Sequence, residues 1–264
     1  MEDVLVQALR LAVRLARAAG KLQLAHLGKI RKIEYKGTIN IVTDVDKKCE
    51  ALIVKGIKQR FSDHDILAEE GSGRDSGADY CWIIDPIDGT VNFAHGFPFF
   101  CVSIGLQWKG EIVVGVIYDP NRDELFSAVK GKGAFLGKKR IHVSDTSKLK
   151  QLLLATGFAY NVQEEDRFDN LDHFAAFIKT ARAVRRLGSA AIDLAWLAAG
   201  RIDGFWELFL KPWDMAAGVI IIREAGGRVT AFDGKAFDLY SNEIVASNGR
   251  IHDEMVRVLN VRSQ

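Results

Sequence analysis

The chain has 264 residues, 48% hydrophobic and 27% charged, a globular balance that excludes disordered and collagen-like chains and allows one large or two closely packed domains. Lys and Arg number 36 against 34 Asp and Glu, so the net charge of +2 gives no general field for a polyanion and argues against nucleic acid as the primary ligand. Cys49, Cys81 and Cys101 are widely spaced with no C-x-x-C pair, and the longest apolar run, Met215 to Ile222, is less than half of the roughly 20 residues that cross a bilayer, so a cytoplasmic protein without a membrane role is expected.

Residues 3 to 28 carry Leu5, Leu9, Ala12, Leu15, Ala16, Ala19 and Leu22 at helical spacing, with Arg10, Arg14, Arg17 and Lys21 mostly opposite. This predicts an amphipathic opening helix and lacks the order of a signal peptide. Thr43-Asp44 caps a second periodic stretch through Ala51, Leu52, Val54, Ile57 and Phe61. From Ile66 the pattern becomes β-rich: ILAEE and YCWIID are predicted strands, joined by a mobile glycine-rich connection, GSGRDSGAD. FFCVSIGLQW and EIVVGVIYD flank Lys109-Gly110 as a hairpin, and ELFSAV follows a DPNR turn, giving a mainly antiparallel sheet. The basic run GKGAFLGKKR at 131–140 has the composition of a solvated edge hairpin. After about residue 150 strand and helix alternate, with helices expected near 166–180, 188–200, 213–225 and 249–259. Trp196, with Leu194 and Leu197, is expected in the core, and the six histidines are too scattered for a zinc site.

The sharpest chemical feature is WIIDPIDGT, residues 82–90, in which an apolar strand delivers Asp85 and Asp88 and opens into Gly89-Thr90. Pro86 fixes φ and removes a donor, leaving carbonyls and carboxylates, hard oxygen ligands suited to Mg²⁺ or Mn²⁺. Gly89 and Thr90 can start a short helix whose free N–H groups receive phosphate. Alone, D-P-x-D-G is also an ordinary turn. Its company is Glu69 at the end of the preceding strand and Asp214 at the start of a helix after Pro212. If Glu69, Asp85, Asp88 and Asp214 converge, two divalent ions would neutralise them and leave positions for phosphate and water, which is a phosphatase site.

Thr43-x-x-Asp46, Glu69-Glu70, DPIDGT at 85–90, GSAA at 188–191 and PWDMAAG at 212–218 together resemble the inositol monophosphatase family in order and spacing along nearly the whole chain. The resemblance implies a layered αβαβα sandwich, an α+β half to about residue 145 and an α/β half from 146, forming one catalytic unit over 1–264. It implies hydrolysis of a small phosphate ester, inositol monophosphate first, by direct attack of metal-activated water. One Mg²⁺ would be held by Glu69, Asp85 and the Ile87 carbonyl, a second by Asp85, Asp88 and Asp214, and a third more weakly by Glu69, with Mn²⁺ as an alternative metal. Asp46 and Thr90 would deprotonate the water, assisted by Glu69, while Gly89, Thr90 and Lys36 would meet phosphate. Asp88, Ser189, Ala190, Glu207 and Asp214 would face the alcohol. The resemblance also implies lithium sensitivity and a homodimer. Fructose 1,6-bisphosphate, 3′-phosphoadenosine 5′-phosphate and NADP are alternative substrates within the same architecture, and a second role on transcription machinery or RNA stays open. An aspartyl-nucleophile phosphatase requires D-x-D-x-T, and the D-x-x-D-G-T spacing here does not match it.

Overall fold

The computed structural model describes residues 2–29, 33–35, 41–73, 75–159 and 170–260; Lys36 and residues 166–169 of the expected fourth helix lie outside them. The opening helix forms as α1 (Glu2–His26), followed by β1 (Ile33–Tyr35), β2 (Ile41–Thr43) and α2 (Asp44–Arg60). Then come β3 (Asp65–Ala68), β4 (Tyr80–Asp88), α3 (Thr90–Ala94), β5 (Cys101–Trp108), β6 (Glu111–Asp119), β7 (Glu124–Val129), β8 (Gly133–Leu136) and β9 (Lys139–Ile141). The remaining elements are β10 (Leu153–Thr156), α4 (Leu171–Thr180), β11 (Ala183–Arg185), α5 (Ala190–Ala198), β12 (Gly204–Leu208), α6 (Pro212–Glu224), β13 (Arg228–Thr230), β14 (Glu243–Ser247) and α7 (His252–Leu259).

Strands β3 to β9 form a seven-stranded sheet in chain order, antiparallel except for the β3–β4 pair. The β8–β9 hairpin is its edge, as its composition predicts. A second sheet has the order β11-β10-β12-β14-β13, with the first three strands parallel. Because side chains alternate across a strand, each sheet feeds two cores. Trp82, Ile84, Val102, Ile104, Val114 and Val116 pack against α1 and α2, whereas Ile83, Cys101 and Ile117 point to the opposite face, toward α5 and α6. On β12, Phe205 joins that same central layer and Trp206 points outward to Phe177 of α4 and Met255 of α7. Five layers result: α1–α2, sheet, α5–α6, sheet, α4–α7. This is the αβαβα sandwich that the sequence motifs imply. Trp196 is only partly buried: its ring packs on the central core and lies under the guanidinium groups of Arg122 and Arg201.

The central helix α6 lies on two glycines. Gly105 and Gly115 are register partners on β5 and β6. A Cβ at Gly105 would stand 2.9 Å from the Ala216 Cβ, and one at Gly115 would stand 2.6 Å from the Ala217 carbonyl oxygen. The sheet therefore has a trough, and α6 settles into it through Ala216 and Ala217.

One boundary and one connection differ from expectation. The strand expected to include Glu69 and Glu70 ends at Ala68, because the next two residues turn toward Gly71, whose φ is +89°. The connection after it is fastened at both ends: the Asp65 carboxylate accepts from the amides of Ser76 and Ala78, and Glu50 accepts from those of Glu70 and Ser72.

Gly115→Ala is expected to destabilise the protein by about 1–3 kcal/mol in denaturant unfolding, because backbone and the Ile220 side chain oppose the added methyl. Activity should fall as well, since α6 carries Asp214. An unchanged midpoint would show that α6 can ride higher on the sheet at no cost.

Candidate active site

Asp85 and Asp88 are three residues apart, and in a regular strand they would face opposite sides of the sheet. Opposite them on β5, Asp85 pairs with Ser103 and Asp88 with Cys101, so three steps on β4 match two on β5. Pro86, which cannot donate to a ladder, sits inside this bulge. The extra residue restores the pleat: both carboxylates emerge on the face toward α6, with Ile83, while Ile84 and Ile87 go to the other core. Gln23 of α1, fully buried, donates to the Pro86 carbonyl at 2.8 Å and holds the bulge from behind.

The third carboxylate arrives with α6. Asp214 is in the first turn, where its Oδ2 accepts from the Lys211 amide at 2.7 Å and closes the helix end. Ser103 donates to the Trp213 carbonyl at 3.2 Å and ties that turn to the strand beside Asp85. Asp85, Asp88 and Asp214 then offer oxygen atoms within 4.8 Å of one another; the first two are buried and the third half-buried. Among the described residues none of the three enters a salt bridge.

This crowding shows in their acidity. Burial, followed by the charges of Glu69, Asp88 and Asp214, pushes Asp85 well above the carboxylate range. Burial and then the Asp88 charge do the same to Asp214. Asp88 is also raised by burial, against the pull of the Ser189 hydroxyl and backbone amides. Its Oδ2 accepts from Ser189 Oγ at 2.5 Å and the Ala191 amide at 2.7 Å, so that oxygen is engaged by α5. Glu69 is not one of the close trio; it is half-buried in the turn after β3 and acts on Asp85 as the leading neighbouring charge. An all-oxygen, uncompensated set of carboxylates fits hard divalent cations such as Mg²⁺ or Mn²⁺.

Beside the trio, Thr90 Oγ1 donates to Asp46 Oδ1 at 3.1 Å and to the Ile87 carbonyl at 2.9 Å, one proton shared between two acceptors. Asp46 is fixed by the start of α2: its Oδ2 accepts from the Thr43 amide at 2.8 Å and from the Thr43 hydroxyl, and that hydroxyl accepts from the amides of Val45 and Asp46. This is a capping box, read from the sequence as a helix start only. Burial raises Asp46, with the Thr43 hydroxyl opposing. Gly89 has φ +93° and precedes α3; a Cβ there would meet the Phe99 carbonyl at 2.9 Å and that of Gly188 at 3.1 Å. Only glycine fits between the two turns.

On the far side, Ser189 is the N-cap of α5, its hydroxyl shared between Asp88 and the Ile192 amide. Ala190 follows at the first helical position. Glu207 is buried on β12, and Gly157 leaves the room for its carboxylate. Burial raises Glu207 strongly, then the charges of Asp214 and Asp88, with Arg186 pulling back. No motif marks Asp193, one turn after Ser189, which is likewise raised by burial and by the Glu207 charge. Nor did the sequence single out Asn92, whose amide reaches the carbonyls of Phe99, Leu187 and Gly188 and pins the DGT turn to the GSAA turn. Glu50 and Gln23 were missed for the same reason: each acts on backbone that only folding brings near. His64 stacks between Phe61 and Tyr80 and accepts from Trp82 Nε1 at 3.1 Å, a packing role.

Each member of the trio keeps its proton to higher pH when folded than when unfolded, so in chelator the folded state is favoured at acid pH and loses stability as pH rises past the carboxylate range. Asp214→Asn, which can still accept from the Lys211 amide, is therefore expected to melt above the unaltered protein at pH 8 in chelator. The gap should close toward pH 4, and added Mg²⁺ should raise the variant's melting temperature less. Calorimetry with and without Mg²⁺ across this range checks it.

Residues 5–263 match the model of the inositol monophosphatase family. An inositol-1-monophosphatase of Synechocystis is 47% identical over 258 residues, covering 95% of this chain and 88% of that protein. A fructose-1,6-bisphosphatase/inositol-1-monophosphatase of Thermotoga maritima is 41% identical, covering 94% of each. The solved inositol monophosphatase of Anabaena superposes with a TM-score of 0.88 at 44% identity, over 97% of this chain and 96% of that one. With its carboxylate trio and its αβαβα layers, the chain belongs to the inositol monophosphatase family and is a phosphatase.

Proposed function

We propose that the protein hydrolyses inositol monophosphate to inositol and phosphate with Mg²⁺, by a single in-line displacement. The observation that carries this reading is the trio of Asp85, Asp88 and Asp214 beside the Thr90–Asp46 hydrogen bond. Glu69, Asp85 and the Ile87 carbonyl would hold one ion; Asp85, Asp88 and Asp214 a second; Glu69 a weaker third. Bound there, the ions supply positive charge for the phosphate oxygens and acidify water.

The chain's own residues do the rest. Thr90 takes the proton of the attacking water as it hands its own to Asp46, whose basicity, raised by burial, suits it to receive that proton. With its carbonyl taken up as a ligand, Ile87 would no longer compete for the Thr90 proton, which would be left to Asp46. The amides of Gly89 and Thr90 face phosphate at the start of α3, and Lys36, outside the described residues, is a further phosphate candidate. Asp88 and Asp214 border the alcohol, Ser189 and Ala190 line it, and the buried Glu207 accepts a hydrogen bond from one of its hydroxyls. Asp46, Glu69, Asp85, Asp88 and Thr90 come from one half of the chain and Ser189, Ala190, Glu207 and Asp214 from the other, which supports treating residues 1–264 as one catalytic unit. The double name of the Thermotoga relative favours a sugar bisphosphate as the second substrate class.

Assaying kcat/KM on inositol monophosphates, fructose 1,6-bisphosphate, nucleotide phosphates and an aryl phosphate decides the substrate; the highest value is expected on inositol monophosphate. Asp46→Asn is expected to lower kcat by about 10²–10⁴-fold, because its amide would donate to Thr90 and reverse the relay. Glu207→Gln should change the ranking of alcohols more than the rate on the aryl ester. A phosphate ester chiral at phosphorus should be cleaved with inversion, and net retention would require a phosphorylated enzyme.

A further inference from the structure

Glu50 lies in the middle of α2 with no exposed surface, yet it is not part of the carboxylate trio. Both of its oxygens are aimed at the turn that follows β3. Oε2 accepts from the Glu70 amide at 2.7 Å, and Oε1 accepts from the Ser72 amide at 2.9 Å. The turn so gripped begins at Glu69, whose own amide donates to the Ile84 carbonyl of β4 at 3.2 Å. One residue before Asp85, the strand thus fixes one side of Glu69, and Glu50 fixes the other.

Glu50 also stands four residues after Asp46, on the same face of α2. Asp46 meets Thr90 after the bulge of β4, and Glu50 meets the turn after β3. A rigid helix therefore spans the interval between the proton relay and Glu69. A carboxyl group that accepts two amides holds a turn at two points, which suits Glu50 to fix the residues beyond the Glu69–Ile84 bond.

We infer that Glu50 is a positioning residue that sets the place of Glu69 for a divalent cation, through the Glu70 and Ser72 amides. This rests on the reading of Glu69 as a metal ligand. Partners outside the ligand set commonly tune metal affinity as strongly as this.

The test is a double-mutant cycle read by calorimetric titration of Mg²⁺ into chelator-treated, full-length protein. Glu50→Gln keeps the shape but places an NH₂ against one of the two amides. It is expected to weaken Mg²⁺ binding by about 10–100-fold, with kcat at saturating Mg²⁺ kept within about threefold. Glu69→Gln should weaken binding too, and the double variant should bind no worse than Glu69→Gln alone. Asp65→Asn, which loosens the other end of the same connection, should leave Mg²⁺ binding unchanged. If Glu69→Gln binds Mg²⁺ normally, the metal-ligand reading of Glu69 is wrong and the inference falls with it. If Glu69→Gln is impaired while Glu50→Gln is not, or if the two losses multiply, only the role of Glu50 is overturned. Hydrogen exchange on the unaltered enzyme gives a check that needs no variant: the Glu70 and Ser72 amides should exchange at least about tenfold slower than free peptide, and unprotected amides would defeat the proposal.

Discussion

Asp85, Asp88 and Asp214 stand within 4.8 Å of one another although like charges drive them apart, and the packing around them is arranged to resist that repulsion. Two come from one strand and cannot separate, because the Pro86 bulge fixes their spacing. The third is carried by a helix that has every electrostatic reason to back away. It is kept close by burial: α6 lies in the Gly105–Gly115 trough, with Met215, Ala216, Ala217, Val219, Ile221 and Ile222 inside the central core. Apolar area on the order of 25 cal/mol per Å² holds the charges where a cation can use them. The core in this protein therefore serves stability and chemistry with the same side chains.

Polar contacts then place individual atoms. The Asp88 oxygen that faces α5 is taken by Ser189 and Ala191, the Asp46 oxygen that faces Thr43 is taken by the capping box, and Asn92 joins the two turns that flank the site. For Asp88 and Asp46 the scaffold thus holds one oxygen of the carboxylate, and the second Asp46 oxygen meets Thr90. Such pre-organisation limits the rearrangement that binding of a phosphate ester would demand.

The arrangement also accounts for two glycines that no other residue could replace at the same geometry. Gly89 and Gly188, with φ of +93° and +86°, let the DGT and GSAA turns pass backbone to backbone. A side chain at Gly89 would force the second half of the site away from the first. The strain-free left-handed conformation of glycine thus sets how closely the phosphate side and the alcohol side approach.

Much was legible in the chain alone. Period-3.6 and period-2 patterns located the helices and strands, since burial of one face is written directly into side-chain order. Asp85, Asp88, Thr90 and Asp214 were legible because turn formers, carboxylates and small residues recur there at fixed offsets. The pairing of Thr90 with Asp46 followed only from the family resemblance. Sequence did not indicate that a bulge turns Asp85 and Asp88 to one face, that Glu207 is buried, or that Glu50, Gln23, Asn92 and Asp193 attend the site. These depend on contacts between residues up to about a hundred positions apart, such as Asn92 with Leu187 and Ser189 with Asp88. Local patterns determine which elements form and which face of each is apolar; only tertiary packing decides which backbone amide stands opposite a given carboxylate, because that choice is made by shape and not by any neighbour in the chain.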